Sequence, residues 1–252
     1  MRYRPRHSSS QRHDGGIRMD IQNGTLGIIT ARGGSKRIPR KNIRYFLGHP
    51  IIKYSIDAAV NSGCFDVIMV STDDKEIAAI AEGLGAVVPF YRSEATSHDF
   101  ASTADVIEEV LLEYEKGGRK FRYCCCIYPT VPFIAPDRLK QGFDVLSSSD
   151  ADAVVPIVRF SYPIQRALKI ENGQLSMIWP ENLNARSQDL LPAYHDVGQF
   201  YWFKTGSFMK QKRLFMDCTV PIEIPESEVQ DIDNEEDWKV AEMKYRIINK
   251  LF

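Results

Sequence analysis

Between Ala31 and Asn42 the chain reads Ala-Arg-Gly-Gly-Ser-Lys-Arg-Ile-Pro-Arg-Lys-Asn. Arg32, Lys36, Arg37, Arg40, Lys41 and Arg44 place six cations within thirteen residues. The adjacent Gly33 and Gly34 let the backbone approach an anion closely, and successive N–H groups there can form an anion-binding nest. The stretch follows directly on the apolar run Leu26–Thr30, so it falls at the carboxyl edge where open α/β sheets bind ligands. A cation-rich run is often only a solvated face, but cations and glycines together at that edge suit a polyphosphate. Two common phosphate loops are excluded. The second glycine of a Walker A motif is missing, and the adjacent glycines do not fit Gly-x-Gly-x-x-Gly.

The elements that must position this loop read as an alternation of strands and helices. Leu26–Thr30, Val67–Val70, Ala86–Phe90 and Tyr123–Tyr128 are short apolar runs of strand length. Pro50 opens a helix that Gly63 closes, and Asp73 with Glu76 is expected to cap the next. Ser102 caps a third helix ending at Gly117-Gly118, and a fourth runs through Leu139, Phe143 and Leu146. After Ala153–Val158 the rhythm changes. Arg166–Ile170 and Leu175–Ile178 flank Asn172-Gly173, a strong hairpin signal, and a polar stretch from Pro180 to His195 follows. Gly198–Phe203 and Val220–Ile224 return to strands, and Asp233 with Glu236 is expected to cap the last helix. The fold class is therefore α/β. We expect a Rossmann-like, mostly parallel sheet with helices on both faces, plus a β-hairpin dimerisation arm at about 159–197.

Composition narrows the classes further. Of 252 residues, 44% are hydrophobic and 26% charged, and 32 Lys+Arg nearly balance 33 Asp+Glu. The balance hides an asymmetry: residues 1–20 carry five arginines and two aspartates, leaving the rest net acidic. Residues 1–24 read as a disordered leader, with Met19 a plausible start, and 25–252 as one domain. No apolar run approaches the ~20 residues of a membrane span, and a neutral chain does not suit a general nucleic-acid binder. Five cysteines, three of them consecutive (Cys124, Cys125, Cys126), make no ligand pattern and read as reduced and buried in a cytoplasmic protein.

The loop 31–42 resembles the signature of the CMP-sugar synthetases, the cytidylyltransferases of nonulosonic acids. Val70-Ser71-Thr72-Asp73, Tyr128-Pro129-Thr130-Val131-Pro132-Phe133 and Asp231-Ile232-Asp233 are similar to further motifs of that family, in the same order. Ser161-Tyr162-Pro163-Ile164-Gln165-Arg166-Ala167 and the stretch from Tyr194 to Trp202 are most similar to its pseudaminic acid branch.

The resemblance implies CTP and a sugar acid as substrates, a CMP-sugar and pyrophosphate as products, Mg²⁺ as cofactor, and a homodimer. It implies that Ala31, Arg32, Gly33, Gly34, Ser35, Lys36, Lys41 and Asn42 hold the nucleotide. Arg32, Lys36, Lys41 and Asp231 are expected to act directly in the transfer. Arg92, Ser102 and Thr103 match positions near the nucleotide, although Ser102 has a competing job as a helix cap. Asp231 and Asp233 match the metal site, and as i and i+2 of an extended segment they share a face. Mg²⁺ takes one or two carboxylates along with phosphate oxygens and water. On the acceptor side Tyr128 stands where sialic acid synthetases carry glutamine, and His195 lies where they carry an arginine. The acidic residue that KDO synthetases place after the central strand is absent. Arg166, Arg186 and His195 are candidates for the sugar carboxylate. Gln199 and Tyr201, two residues apart, could line its pocket. The same reaction on legionaminic or sialic acid, or a non-catalytic CTP-binding protein, are the rival readings.

Overall fold

A computed structural model describes residues 24–251. The leader expected over 1–24 lies outside them, except for Gly24, which opens the first strand. The chain runs β1 (Gly24–Thr30), β2 (Tyr45–Phe46), β3 (His49–Pro50), α1 (Ile52–Ser62), β4 (Val67–Ser71), α2 (Lys75–Gly83), α3 (Glu94–Ser97), α4 (Thr103–Lys116), β5 (Phe121–Ile127), α5 (Pro136–Ser148) and β6 (Ala153–Arg159). It continues through β7 (Leu168–Glu171), β8 (Gln174–Met177), β9 (Tyr194–Asp196), β10 (Phe200–Lys204), α6 (Thr205–Gln211), β11 (Thr219–Glu223) and α7 (Glu235–Ile248).

Seven strands make the central sheet, in the order β11-β6-β10-β5-β1-β4, with β9 added on β6. Pairing is parallel at β1–β4, β1–β5 and β6–β11, and antiparallel at β10–β5, β10–β6 and β9–β6. Strands β1, β4, β5, β6 and β11 therefore all point one way, and only β9 and β10 run against them. The sheet is mixed but mostly parallel. β1 is buried along almost its whole length because it lies between two partners and under helices on both faces.

The two faces are covered by different helices. Ile52 and Ile56 of α1, Ile77 and Ala81 of α2, and Leu139 and Leu146 of α5 pack on one side, with Cys125 and Trp202. Ile107, Val110 and Tyr114 of α4 and Phe208 of α6 pack on the other, with Cys124 and Cys126. The three cysteines thus alternate faces, all are free, and burial raises each thiol's pKa. A third cluster joins α7, through Trp238 and Ala241, to Ile38 and Phe46 beside the glycine loop.

Three local expectations are corrected. Ala86–Phe90 is no strand: Val87 alone bridges Met69, with two backbone bonds to Ile68 and Val70, and Pro89 cannot donate to a ladder. The cap of α2 is Asp74, not Asp73, its carboxylate accepting from the N–H groups of Glu76 and Ile77. The cap of α7 is Asn234, boxed with Asp237, rather than Asp233 with Glu236. In both cases the cap falls one residue later, which frees the expected residue for another contact.

Ser102 does cap α4, in a reciprocal box with Asp105. The hairpin forms as expected: Asn172 and Gly173 take φ of 52° and 76° between β7 and β8, the backbone of a type I′ turn. It stands apart as its own two-stranded sheet, and its first strand begins only at Leu168, because Ile164–Arg166 makes a 3₁₀ turn.

Candidate active site

The glycine loop leaves β1 at Thr30 and is tied down from both sides. Ala31 is fully buried, and its N–H donates to the Ser71 carbonyl at 2.9 Å. The N–H of Gly33 donates to Asp73 at 2.8 Å, so the aspartate released from capping α2 holds the loop instead. A Cβ on Gly33 would lie 2.8 Å from the Asp74 carboxylate, which explains a glycine there on steric grounds alone. A Cβ on Gly34 would meet nothing within 4 Å. The chain's own packing therefore does not require a glycine at that point. Asn42 is buried and spends its side-chain amide on the Arg32 carbonyl at 2.8 Å, fixing the loop's two ends together.

The six cations divide by task. Arg40 takes a left-handed backbone (φ 55°) and turns back onto Asp74 and Glu76. Asp74, held by Arg40 and by the N–H groups it caps, has its pKa lowered to about 2. Arg44 donates to Glu235 at 2.5 Å and lies over the Trp238 ring. These two fasten the loop to α2 and α7 and are not free for an anion. Arg32, Lys36, Arg37 and Lys41 line a cavity of about 420 Å³, with Ser35 and Asp233. Burial lowers the pKa of Lys41, and Asp233 and Asp231 oppose that shift. Arg37 pairs with Asp233 at 2.7 Å. Asp99, from the segment before α4, bridges Arg32 and Lys36, which lower its pKa.

A smaller cavity of about 210 Å³ continues from this one, sharing Thr30, Arg32 and Asp99, and adds Arg92 and Thr103. Arg92 is buried, donating to the Ser71 hydroxyl at 3.1 Å and to its carbonyl at 2.8 Å. Ser102 does not line it, because its hydroxyl is engaged with Asp105. Thr103 does, and its hydroxyl lies 3.3 Å from the Tyr128 hydroxyl.

Tyr128 leads into a third cavity, of about 590 Å³, walled by Tyr201, His195, Asp196, Asp231 and Lys244 among others. Burial raises the pKa of both tyrosines. Tyr201 donates to Asp196 at 2.5 Å, and the other Asp196 oxygen accepts from the Gly198 N–H at 2.9 Å. Phe200 and Trp202 face the core, as expected. Gln199 does not line this cavity: its amide donates to the Glu228 carbonyl at 2.7 Å. Arg138 forks onto the Glu228 carboxylate at 2.9 and 3.0 Å, and Lys244 donates to the carbonyls of Glu226 and Val229 at 2.7 and 2.5 Å. Gln199, Arg138 and Lys244 therefore clamp the segment that leads into Asp231. Arg166 and Arg186 do not reach the cavity. Both are exposed, and Arg186 is folded onto Asp189. His195 is there, its ring tilted against Phe160 with the centroids 4.7 Å apart.

Asp231-Ile232-Asp233 is the seam between the cavities, with Asp231 in the tyrosine cavity and Asp233 in the loop cavity. Ile232 is buried in the third core cluster, which anchors the segment between the exposed Asp231 and the half-buried Asp233. Both carboxylates raise the Lys41 pKa against the effect of its burial. Among the described residues no three His, Cys, Asp or Glu side chains converge. Two carboxylates two residues apart in the chain, with no third protein ligand among the described residues, fit a Mg²⁺ that takes its remaining ligands from phosphate oxygens and water.

Sequence reasoning missed Asp73 as a loop anchor, as well as Asp99, Arg159, Asp196 and Lys244. Asp73 and Asp196 lie within quoted motifs but carried no assigned site contact there, and no spacing signal joins the other three to the motifs: Asp99 and Lys36 stand 63 positions apart.

Residues 26–214 match the family model described as cytidylyltransferase. The chain is 39% identical to the pseudaminic acid cytidylyltransferase of Campylobacter jejuni over 223 residues, 88% of this chain and 96% of that one. It is 31% identical to the CMP-N,N'-diacetyllegionaminic acid synthase of Legionella pneumophila, over 86% of this chain and 94% of that one. The fold is similar to that of CMP:2-keto-3-deoxy-manno-octonic acid synthetase, a structure solved with CTP, at a TM-score of 0.64 and 15% identity, covering 91% of this chain and all of that one.

Proposed function

The chain belongs to the cytidylyltransferase family, and on that premise we propose that it transfers the cytidylyl group of CTP to pseudaminic acid, releasing pyrophosphate. It is a nucleotidyltransferase of the CMP-sugar synthetase type. The observation that carries the proposed reaction is the seam at Asp231-Ile232-Asp233, which gives one carboxylate to each of two cavities. Support for the pseudaminic acceptor comes from the relatives, since identity is higher to the pseudaminic acid enzyme than to the legionaminic acid enzyme.

In this reading the loop cavity takes the triphosphate. Arg32, Lys36 and Lys41 neutralise its β- and γ-phosphates, and the N–H group of Gly34 approaches them closely. The cytidine extends past Arg92 and Thr103. The sugar acid occupies the tyrosine cavity, its anomeric hydroxyl toward Asp231. That oxygen forms a bond to the α-phosphorus, the bond from that phosphorus to the bridging oxygen breaks, and the hydroxyl proton leaves to solvent. Positioning and charge stabilisation supply most of the acceleration in such transfers. Asp231 and Asp233 would hold Mg²⁺, which supplies charge neutralisation at the α-phosphate and a lowered pKa for the attacking hydroxyl. Lys36 and Arg32, released from Asp99 by the incoming phosphates, stabilise the leaving pyrophosphate.

The arm at 159–197 exposes Tyr162, Ile170, Leu175, Leu183 and Leu191, an apolar surface suited to a second copy of the chain. Sedimentation as a dimer is the expected result, and a strict monomer would remove that part of the proposal. The acceptor is tested with CTP, Mg²⁺ and a panel of pseudaminic, legionaminic, sialic and KDO acids, reading pyrophosphate and product mass. Pseudaminic acid should give the highest kcat/KM. Turnover of another acid alone would reassign the acceptor, and CTP binding without turnover of any acid would leave a binding protein.

A further inference from the structure

The tyrosine cavity holds one cation whose donors are all free. Arg159 is the last residue of β6, at the same carboxyl edge where β1 releases the glycine loop. It lines the 590 Å³ cavity and a neighbouring one of about 450 Å³. Among the described residues, its guanidinium makes no ion pair within 4.0 Å and no hydrogen bond to the chain, although its backbone is held in register against Tyr194 of β9. The other basic groups of the cavity are engaged. Lys244 is bound to two carbonyls, and His195 has its Nδ1 3.0 Å from the Asp196 carbonyl and its ring against Phe160. Of the acids there, Asp196 already accepts from Tyr201 and Gly198. A rigid strand end therefore presents a complete planar fork of N–H donors to an open cavity.

We infer that Arg159 receives the carboxylate of the sugar acid. This rests on the reading that the tyrosine cavity takes that substrate. A guanidinium matches a carboxylate with two parallel hydrogen bonds, which fix direction as well as charge. In a 2-keto sugar acid the carboxylate is bonded to the anomeric carbon itself. Gripping it therefore aims the attacking hydroxyl, one bond away, toward Asp231. Arg159 replaces Arg166 and Arg186 in this role, and it selects acids over neutral sugars of the same shape.

The test compares the full-length wild type with Arg159→Ala and Arg159→Lys, using CTP and whichever acid the panel shows to be turned over. The C1 amide of that acid is run beside it. Arg159→Ala should raise the acceptor KM at least about tenfold, the usual scale for losing a charged hydrogen-bonding partner. The CTP KM and the melting temperature should stay unchanged. Arg159→Lys should recover part of the loss, since it restores charge without the fork. The wild type should strongly prefer acid over amide, and Arg159→Ala should not. An alanine variant that keeps the wild-type acceptor KM and acid preference would overturn the assignment while leaving the enzyme's reaction intact. If the wild type turns over no acid at all, the cavity does not take a sugar acid, and the assignment falls with that reading.

Discussion

The loop cavity and the tyrosine cavity sit on one sheet edge, yet the chain builds them in different ways. Almost every wall of the loop cavity comes from residues 30–42, with Asp99 and Asp233 added from outside. The tyrosine cavity draws on the end of β5, the end of β6, residues 195–201, residues 226–231 and α7. The first is a short contiguous device, held by Asp73, Asp74, Asn42 and Arg44. The second is an assembly whose floor depends on three clamps, Gln199, Arg138 and Lys244, around one segment. The contrast fits a shared nucleotide and a variable acceptor. A contiguous loop is kept or lost as a unit, whereas a wall built from five segments can change one residue at a time.

The largest expected effect lies where the two cavities meet. Asp231→Asn keeps the size of an exposed side chain that makes no hydrogen bond among the described residues, so folding and melting should be unchanged. Pyrophosphate release should fall roughly hundredfold or more, the scale set by removing one preorganised electrostatic group, and the Mg²⁺ concentration for half-maximal rate should rise. Wild-type turnover at equal Mg²⁺ would dissociate the seam from the chemistry and leave the two cavities as unrelated hollows.

Next comes a split that only separate binding sites would produce. Lys36→Ala should raise the CTP KM about tenfold, as for loss of a charge-assisted hydrogen bond, with the acceptor KM unchanged. A rise in the acceptor KM with CTP unaffected would exchange the assignments of the two cavities.

A third prediction concerns how firmly the loop is anchored. Asp74 caps α2 and grips Arg40, and its folded-state pKa lies at about 2, below the ordinary 3.8. A carboxylate depressed in the folded state contributes stability that is present above its unfolded pKa and is lost as pH falls through its folded value. Asp74→Ala should therefore cost about 1 kcal/mol near neutral pH, the usual worth of a helix cap. The gap between variant and wild type should close between roughly pH 4 and pH 2 in urea melts. A gap that does not change with pH would mean that the cap, not the charge, holds the loop.

These differences in construction decide what the amino-acid sequence reveals. The alternating elements were legible because each carries its own period. The loop was legible because its cations and glycines are neighbours in the chain. Even there, capping was read one residue early at Asp73 and Asp233, since neighbouring acids compete for the same N–H groups and only the backbone angles decide. Counting charges also overstated the anion site, because Arg40 and Arg44 are consumed by Asp74, Glu76 and Glu235. The wall of the tyrosine cavity was mostly illegible. Two-residue periodicity placed Gln199 beside Tyr201, but a carbonyl 29 positions away captures its amide. Arg159 carries no motif at all, and only closure of the sheet brings it to the cavity.

The smallest expected effect bears on what the loop cavity does before a nucleotide arrives. Asp99 bridges Arg32 and Lys36 from 67 and 63 positions away, so on the proposed function it competes with a phosphate for them. The pair is solvent-exposed, and such pairs contribute little. Asp99→Asn should therefore lower the CTP KM by no more than about threefold, leaving kcat and the acceptor KM alone. The gain should shrink as salt is raised, because screening weakens the wild-type bridge that the variant lacks. A CTP KM that rises instead would show that Asp99 assists the nucleotide rather than competing with it. The loop cavity would then depend on a distant segment as the tyrosine cavity does, and the contrast between them would narrow to one of degree.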